Sequence, residues 1–306
     1  MPALLMLAPA VIGVVVSILL IRTWPRLLPS LPRRVRILAA VGLGVALAVE
    51  VVMVASGSWP FQSMGFTTPL EWLSLIPGDW QSAAPLLGGV IATALQCVPT
   101  PSGPRREVAE LAPRTPFTFA SAAWLLGTGV AVGVAVLLAV TGGLASRPDQ
   151  DGAYTMWLQD AGLGIVGRLI YGWAFSGPSL LLLLLLTVTT LLGLTLIARP
   201  PIAEDTAGDL AARRSRSRAI LVTACGAVLI HVGTVLIFFA YTANLSTGVS
   251  VGDAVVPVYP PFAVLAPALL GLGIGAIIVG FVLWCRLFIE QLTAIAARHS
   301  HAAHAD

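Results

Sequence analysis

Two ionisable side chains sit deep inside long apolar runs, Glu50 and His231. An ionisable group at bilayer depth costs about 2.5–3.5 kcal/mol on insertion scales, and as a rule it faces a bundle interior or water. Glu50 is fourteenth in the run 37–56 and His231 is thirteenth in the run 219–242. At about 1.5 Å per helical residue both lie roughly 20 Å from the same membrane face. A carboxylate and an imidazole at matched depth can relay a proton, couple a substrate to proton movement or hold two helices in register. The plainer roles are a Glu50 that reaches the nearer interface and a His231 that bonds a carbonyl of a neighbouring helix.

A second group of side chains lies between the apolar runs. Trp59, Trp72, Trp80, Trp157 and Trp173, with Tyr154, Tyr171 and Tyr259, all fall in three long connections, and Tyr241 ends the run 219–242 on the same side. Aromatic belts at headgroup depth account for such a distribution. The same rings, with Glu71, Asp79, Asp149, Asp151, Asp160 and Asp253 among them, can also cap a bundle and hold an apolar or cationic ligand.

Other chemistries find little support. Cys97, Cys225 and Cys285 form no CxxC pair, and His299, His301 and His304 lie together only in the C-terminal tail, so no metal site is expected. There is no HExxH or GxSxG motif, and GLGIG at 271–275 lies inside an apolar run rather than after a strand, so it is no phosphate loop. All 17 basic residues are arginine. The chain therefore has no Walker lysine and no lysine for a retinal Schiff base, although it shares a count of seven spans with retinal proteins. No cofactor and no nucleic-acid partner is expected.

The elements that must position these residues are set by hydropathy. Of the 306 residues 57% are hydrophobic and 10% charged, with a mean hydropathy of +0.92, whereas a soluble domain carries about a quarter charged residues. Seven runs satisfy the need for roughly 20 helical residues per span: 3–21, 37–56, 82–98, 117–145, 179–198, 219–242 and 262–285. They form one polytopic membrane domain over 1–306, with 286–306 as a short tail. Fifteen arginines fall in alternate connections and the tail, and only Arg147 and Arg168 fall on the other side. The positive-inside rule then predicts seven spans with the N-terminus outside and the C-terminus cytoplasmic, and the lysine-free, Ala- and Val-rich composition suggests a high-GC bacterium and so a bacterial inner membrane.

Smaller features complete the expectation. Residues 161–175 are too short and too glycine-rich for an eighth span and are predicted to form an interfacial helix ended by Gly177-Pro178. Residues 69–76 read as another interfacial helix. Residues 203–218 place acids first and arginines last, as a helix dipole prefers. They suit either docking of a cytoplasmic partner or a solvated loop whose arginines meet lipid phosphates. Ala40, Gly44 and Ala48, Gly129 and Gly133, and Gly271 and Gly275 recur at spacing four and predict close helix approach.

The fold class expected is an all-α seven-helix membrane bundle. The function expected is a non-enzymatic, permease-like or accessory subunit of a membrane transport complex, whose partners are the lipid bilayer and membrane or cytoplasmic proteins. The alternatives are an enzyme acting on a lipid-linked substrate at the outer face, with Glu71, Asp79, Asp149, Asp151 or Asp160 as acid or base, and a membrane sensor or structural protein.

Overall fold

Four of the apolar runs fold into helical stretches long and apolar enough to cross a bilayer: Ala122–Ala145, Trp173–Ala198, Thr206–Asn244 and Ala263–Thr293. Two shorter apolar stretches, Ala8–Leu20 and Ala84–Gln96, accompany them. The computed structural model describes residues 2–23, 33–55, 82–98, 115–160, 165–199, 205–244, 247–251 and 254–303. Among these residues seven α-helices occur: α1 (Pro2–Thr23), α2 (Arg33–Ala55), α3 (Ala84–Gln96), α4 (Ala122–Ala145), α5 (Trp173–Ala198), α6 (Thr206–Asn244) and α7 (Ala266–Ala303). A count of seven helices agrees with the hydropathy reading. The segment with Trp59, Glu71, Trp72, Asp79 and Trp80, and the interfacial helix expected near residues 69–76, lie outside the described residues.

Helix α6 is the axis of the bundle. It packs against α3, α4, α5 and α7, and 83% of its apolar stretch is buried, against 17% for α4. Its tightest contact is with α7, where two pairs of glycines face one another. A Cβ on Gly233 would stand 2.5 Å from the Gly273 carbonyl, and one on Gly273 2.9 Å from the Gly233 carbonyl. Gly226 and Gly280 repeat the arrangement, at 3.2 and 2.8 Å. On both helices the spacing is seven residues, two turns, so each pair returns to the same face. The glycine spacings of four behave differently. A Cβ added to Gly129, Gly133, Gly271 or Gly275 would meet nothing within 4 Å, whereas one on Gly44 would meet the Phe288 ring. The close approach expected at 129/133 and at 271/275 is therefore not made among the described residues.

Around this axis α2 packs on α3 and α7, and α1 on α7. Ser17 fastens the last contact, its Oγ donating to the carbonyls of Gly13 (2.6 Å) and Val282 (3.1 Å). The buried core runs through Leu43, Leu86, Leu186, Val228 and Trp284.

The connection between α4 and α5 corrects the sequence reading. Instead of an interfacial helix at 161–175, β1 (Arg147–Pro148), β2 (Tyr154–Asp160) and β3 (Ile165–Leu169) form an antiparallel sheet, with Trp157 opposite Arg168 and Leu158 opposite Gly167. Glycine is a poor helix former, and Gly167 leaves the space that the Met156 side chain fills across the ladder. Helix α5 then begins at Trp173 and continues through Pro178, which is not the stop that the sequence suggested. Near a helix start a proline removes only one of the early intrahelical bonds. A second hairpin, β4 (Thr247–Val251) with β5 (Ala254–Val258), joins α6 to α7. Residues 206–218 are no loop either, because they continue without a break into α6.

Candidate functional site

Buried polar side chains gather in two layers along α6. The first surrounds His231. Its Nδ1 lies 2.9 Å from the Ser82 carbonyl, and since a carbonyl only accepts, Nδ1 carries the proton. Ser82 stands just ahead of α3, so this bond ties the start of α3 to the middle of α6. Tyr171, wholly buried, lies edge-on to the imidazole with ring centroids 6.4 Å apart. Its hydroxyl donates to Ser179 Oγ (2.8 Å), and Ser179 donates to the Phe175 carbonyl (3.0 Å). Burial pushes the phenol up to about 12, offset in part by Ser179 and Ser82, so Tyr171 remains a donor at neutral pH. Phe175 and Phe238 close the apolar side of this layer.

Glu50 does not join it. The carboxyl is buried in α2, with Oε1 lacking a hydrogen-bond partner among the described residues, and no hydrogen bond or ion pair links it to His231. Helix α3 packs on α2 and on α6. A direct proton step between Glu50 and His231 has no bonded path among the described residues.

The second layer lies toward the arginine-rich start of α6. Gln96 Nε2 donates to Thr223 Oγ1 (2.8 Å), and Trp284 Nε1 donates to the Thr223 carbonyl (2.9 Å), so one residue of α6 holds both α3 and α7. Roughly two to three turns earlier, Arg213 donates to the Ile197 carbonyl (2.6 Å) and to Asp209 (2.8 Å), and Arg216 donates to the Val98 carbonyl (3.0 Å). Ile197 and Val98 lie at the C-terminal ends of α5 and α3, where orphan carbonyls and the negative end of the dipole favour cations. Hydropathy reasoning treats these arginines as solvated. Their buried roles depend on two helix ends that come together only in the fold. The spacing of three between Arg213 and Arg216, on one helix face, is the signal that was present.

The aromatic cap divides. Tyr171 belongs to the core. Trp173 lies against Gly143 near the end of α4, where a Cβ would stand 2.6 Å from the indole. Trp157 is edge-on to Phe262 at 5.8 Å, and Gln159 Nε2 donates to the Tyr259 carbonyl at 3.3 Å, which joins the three-stranded sheet to the approach to α7. Tyr154 and Tyr259 are exposed, as are Asp151 and Asp160. Asp149 builds a turn: its carboxylate accepts from the Asp151 and Ala153 amides (2.9 Å each) and from the Thr155 hydroxyl (2.6 Å), while Gly152 supplies the positive φ of 81°. The Thr155 bond first, and those amides with it, hold this carboxyl below its ordinary range. Asp253 lies outside the described residues. Among the described residues no three His, Cys, Asp or Glu side chains converge on a point that could hold a metal.

Two open recesses flank α4. One, of about 400 Å³, runs between α4 and α5 over α6 and is apolar, with Leu125, Gly129, Val132, Leu186, Leu221 and Thr190 along it. The Thr190 hydroxyl is buried there without a hydrogen-bond partner among the described residues. The other, of about 470 Å³, lies at the start of α4 and is cationic, with Arg214 and Arg218 on its wall. No protein-family model matches the chain, and no curated protein and no solved structure is significantly similar to it.

Proposed function

We propose that the chain is a seven-span protein of a bacterial cytoplasmic membrane, with its N-terminus outside, and that it serves as a non-enzymatic, permease-like or accessory subunit of a membrane transport complex. The orientation is supported by the arginine distribution. The subunit role is carried by α4. This helix is apolar throughout, yet it is the least covered of the four long ones, and a Cβ on Gly127, Gly129 or Gly133 would meet nothing within 4 Å. Small residues on a spanning helix allow backbone approach, and lipid tails gain nothing from that shape. A spanning helix of a partner subunit does, and beside Gly129 it meets the apolar groove with the unsatisfied Thr190 hydroxyl.

The test is isolation of the tagged chain in mild detergent, as wild type and as Gly133→Leu. The expected result is a stoichiometric complex containing a membrane partner and a nucleotide-hydrolysing subunit, with the membrane partner lost from the Gly133→Leu variant while the chain itself stays folded. A monomer in both preparations overturns the reading. If that monomer consumes labelled lipid-linked intermediates, the enzyme reading takes its place.

A further inference from the structure

The groove between α4 and α5 holds one hydroxyl that the fold leaves unused. Helix α5 carries threonines at 187, 189, 190 and 195. Thr187, Thr189 and Thr195 each donate to the carbonyl four residues back, at 2.8, 2.7 and 2.8 Å, the local bond by which a helical threonine satisfies its own hydroxyl. Thr190 makes no such bond. It is 6% exposed, it lines the groove, and its Oγ1 has no hydrogen-bond partner among the described residues. A buried hydroxyl left unpaired costs free energy. The bond that its neighbours make would lift that cost, so a donor held in the groove instead marks a place for an acceptor from outside.

The shape of the groove selects what brings the acceptor. Each wall contributes about two turns, from residues 125–132 of α4, 186–194 of α5 and 221–228 of α6. Along α5 this is a rise of about 12 Å. A volume of about 400 Å³ spread over that length leaves a mean cross-section of about 33 Å². A helix, about 10 Å across with its side chains, needs about 80 Å². The outward glycines of α4 suit a helix, but the groove beside them admits only an extended chain. Its floor is buried at Leu194, Leu221, Ala224 and Val228, and its rim is exposed at Gly129 and Leu191. Depth agrees with this occupant. The 26 residues of α5 span about 39 Å against a hydrocarbon core of about 30 Å. Thr190, eight residues from the C-terminal end of α5, therefore lies within about two turns of the headgroup region. An acyl chain carries its one acceptor, the ester carbonyl, at that end of the hydrocarbon.

We infer that this groove is a specific site for one acyl chain of a membrane lipid, with Thr190 donating to its ester carbonyl. The inference rests on α4 and α5 crossing a bilayer and needs no partner subunit. The full-length chain in a neutral detergent is titrated with dioleoyl phosphatidylcholine and with its dialkyl ether analogue, and bound lipids are counted by native mass spectrometry. The two lipids share headgroup and chains and differ in the ester carbonyl. The wild type is expected to bind one ester lipid saturably and the ether lipid about threefold to tenfold more weakly, the worth of one neutral hydrogen bond. Thr190→Val keeps the shape and removes the hydroxyl. It is expected to bind the two lipids equally and, in lipid-free detergent, to be at least as stable as the wild type, because an unpaired buried group has been removed. Gly129→Leu fills the rim, where a Cβ would meet nothing within 4 Å, and is expected to abolish the saturable site while the chain stays folded. No saturable lipid binding, equal affinity of the wild type for the two lipids, or an ester preference kept by Thr190→Val overturns the inference and leaves the spanning reading intact. A chain that stays monodisperse once detergent is removed overturns the spanning reading and the inference with it.

Discussion

Helices α6 and α4 are both apolar and both carry spaced glycines, yet one is the most buried of the four long helices and the other the least. The difference lies in what stands opposite. Gly226 and Gly233 of α6 meet Gly280 and Gly273 of α7 in reciprocal pairs, so each helix presents its gap to the other's backbone. Gly127, Gly129 and Gly133 of α4 present theirs to open space. Helix α4 is held chiefly toward its far end, where Gly142 lies against the Tyr171 carbonyl and Gly143 against Trp173. A small residue therefore records that close approach is possible. Whether the partner is another helix of the same chain is decided by the second helix, and sequence spacing on the first does not contain it.

One substitution made twice separates the two helices most widely. Gly233→Leu forces a side chain into a space where even a Cβ stands 2.5 Å from the Gly273 carbonyl and from Ile277. Over-packing of this kind costs about 1–3 kcal/mol and sometimes more. Both neighbours here are backbone or packed side chain, so the upper end or outright failure to fold is expected. Gly133→Leu adds the same atoms where nothing is within 4 Å, and its cost to the isolated chain should stay within about 0.5 kcal/mol. Thermal unfolding of the purified variants in one detergent measures both. Equal losses would show that α4 is as tightly enclosed as α6.

The helices were legible because each coincides with a long apolar run, and hydropathy reports such runs directly. The run expected at 179–198 occupies Trp173–Ala198 and that at 219–242 occupies Thr206–Asn244. Both helices begin earlier because the sequence reading stopped at Pro178 and at the arginines. The proline falls where few bonds are lost, and the arginines find the ends of α3 and α5. The strands were hidden for a different reason. Ile165–Leu169 is only five residues long and lies in the glycine-rich stretch 161–175, whose composition also fits a helix lying on a membrane, while its partner Tyr154–Asp160 lies outside that stretch. Only the pairing of one with the other separates the two readings. The candidate site was legible in part: His231 is buried and bonded to a carbonyl, one of its two expected roles, but its partners Ser82 and Tyr171 come from distant stretches of chain.

A smaller change probes what holds α6 and α7 together. Trp284 is fully buried, and its Nε1 donates to the Thr223 carbonyl at 2.9 Å, while Thr223 Oγ1 accepts from Gln96. Trp284→Phe keeps an aromatic ring beside Gly226 but removes the donor and some volume. A loss of about 2 kcal/mol is expected from one neutral hydrogen bond and a partial cavity. A Gln96→Leu variant, which removes a bond to the side chain and not to the backbone, should cost less. If Trp284→Phe is neutral in thermal unfolding, the glycine pairs alone hold the α6–α7 contact.

The smallest effect separates the anchored end of α4 from the α6–α7 core by pH. Asp149 follows β1, directly beyond the last turn of α4, and its turn sets the register of β1 on β2. Its carboxyl is held below the ordinary value, and the unfolded value is about 3.9. The ionised form is thus the one the turn stabilises. That contribution is present in full above the unfolded value and is lost as pH falls through the folded one. Acidification into this range should raise amide hydrogen exchange in residues 147–160 and alter the emission of the tryptophans at 157 and 173. Exchange at the α6–α7 glycine pairs should stay unchanged, because no carboxylate is among the atoms nearest those glycines. Thr155→Val removes the largest cause of the shift and should move the transition to higher pH. If the sheet and the α6–α7 pair instead loosen together at one pH in wild type and variant alike, the two regions are one cooperative unit and α4 is no separate element.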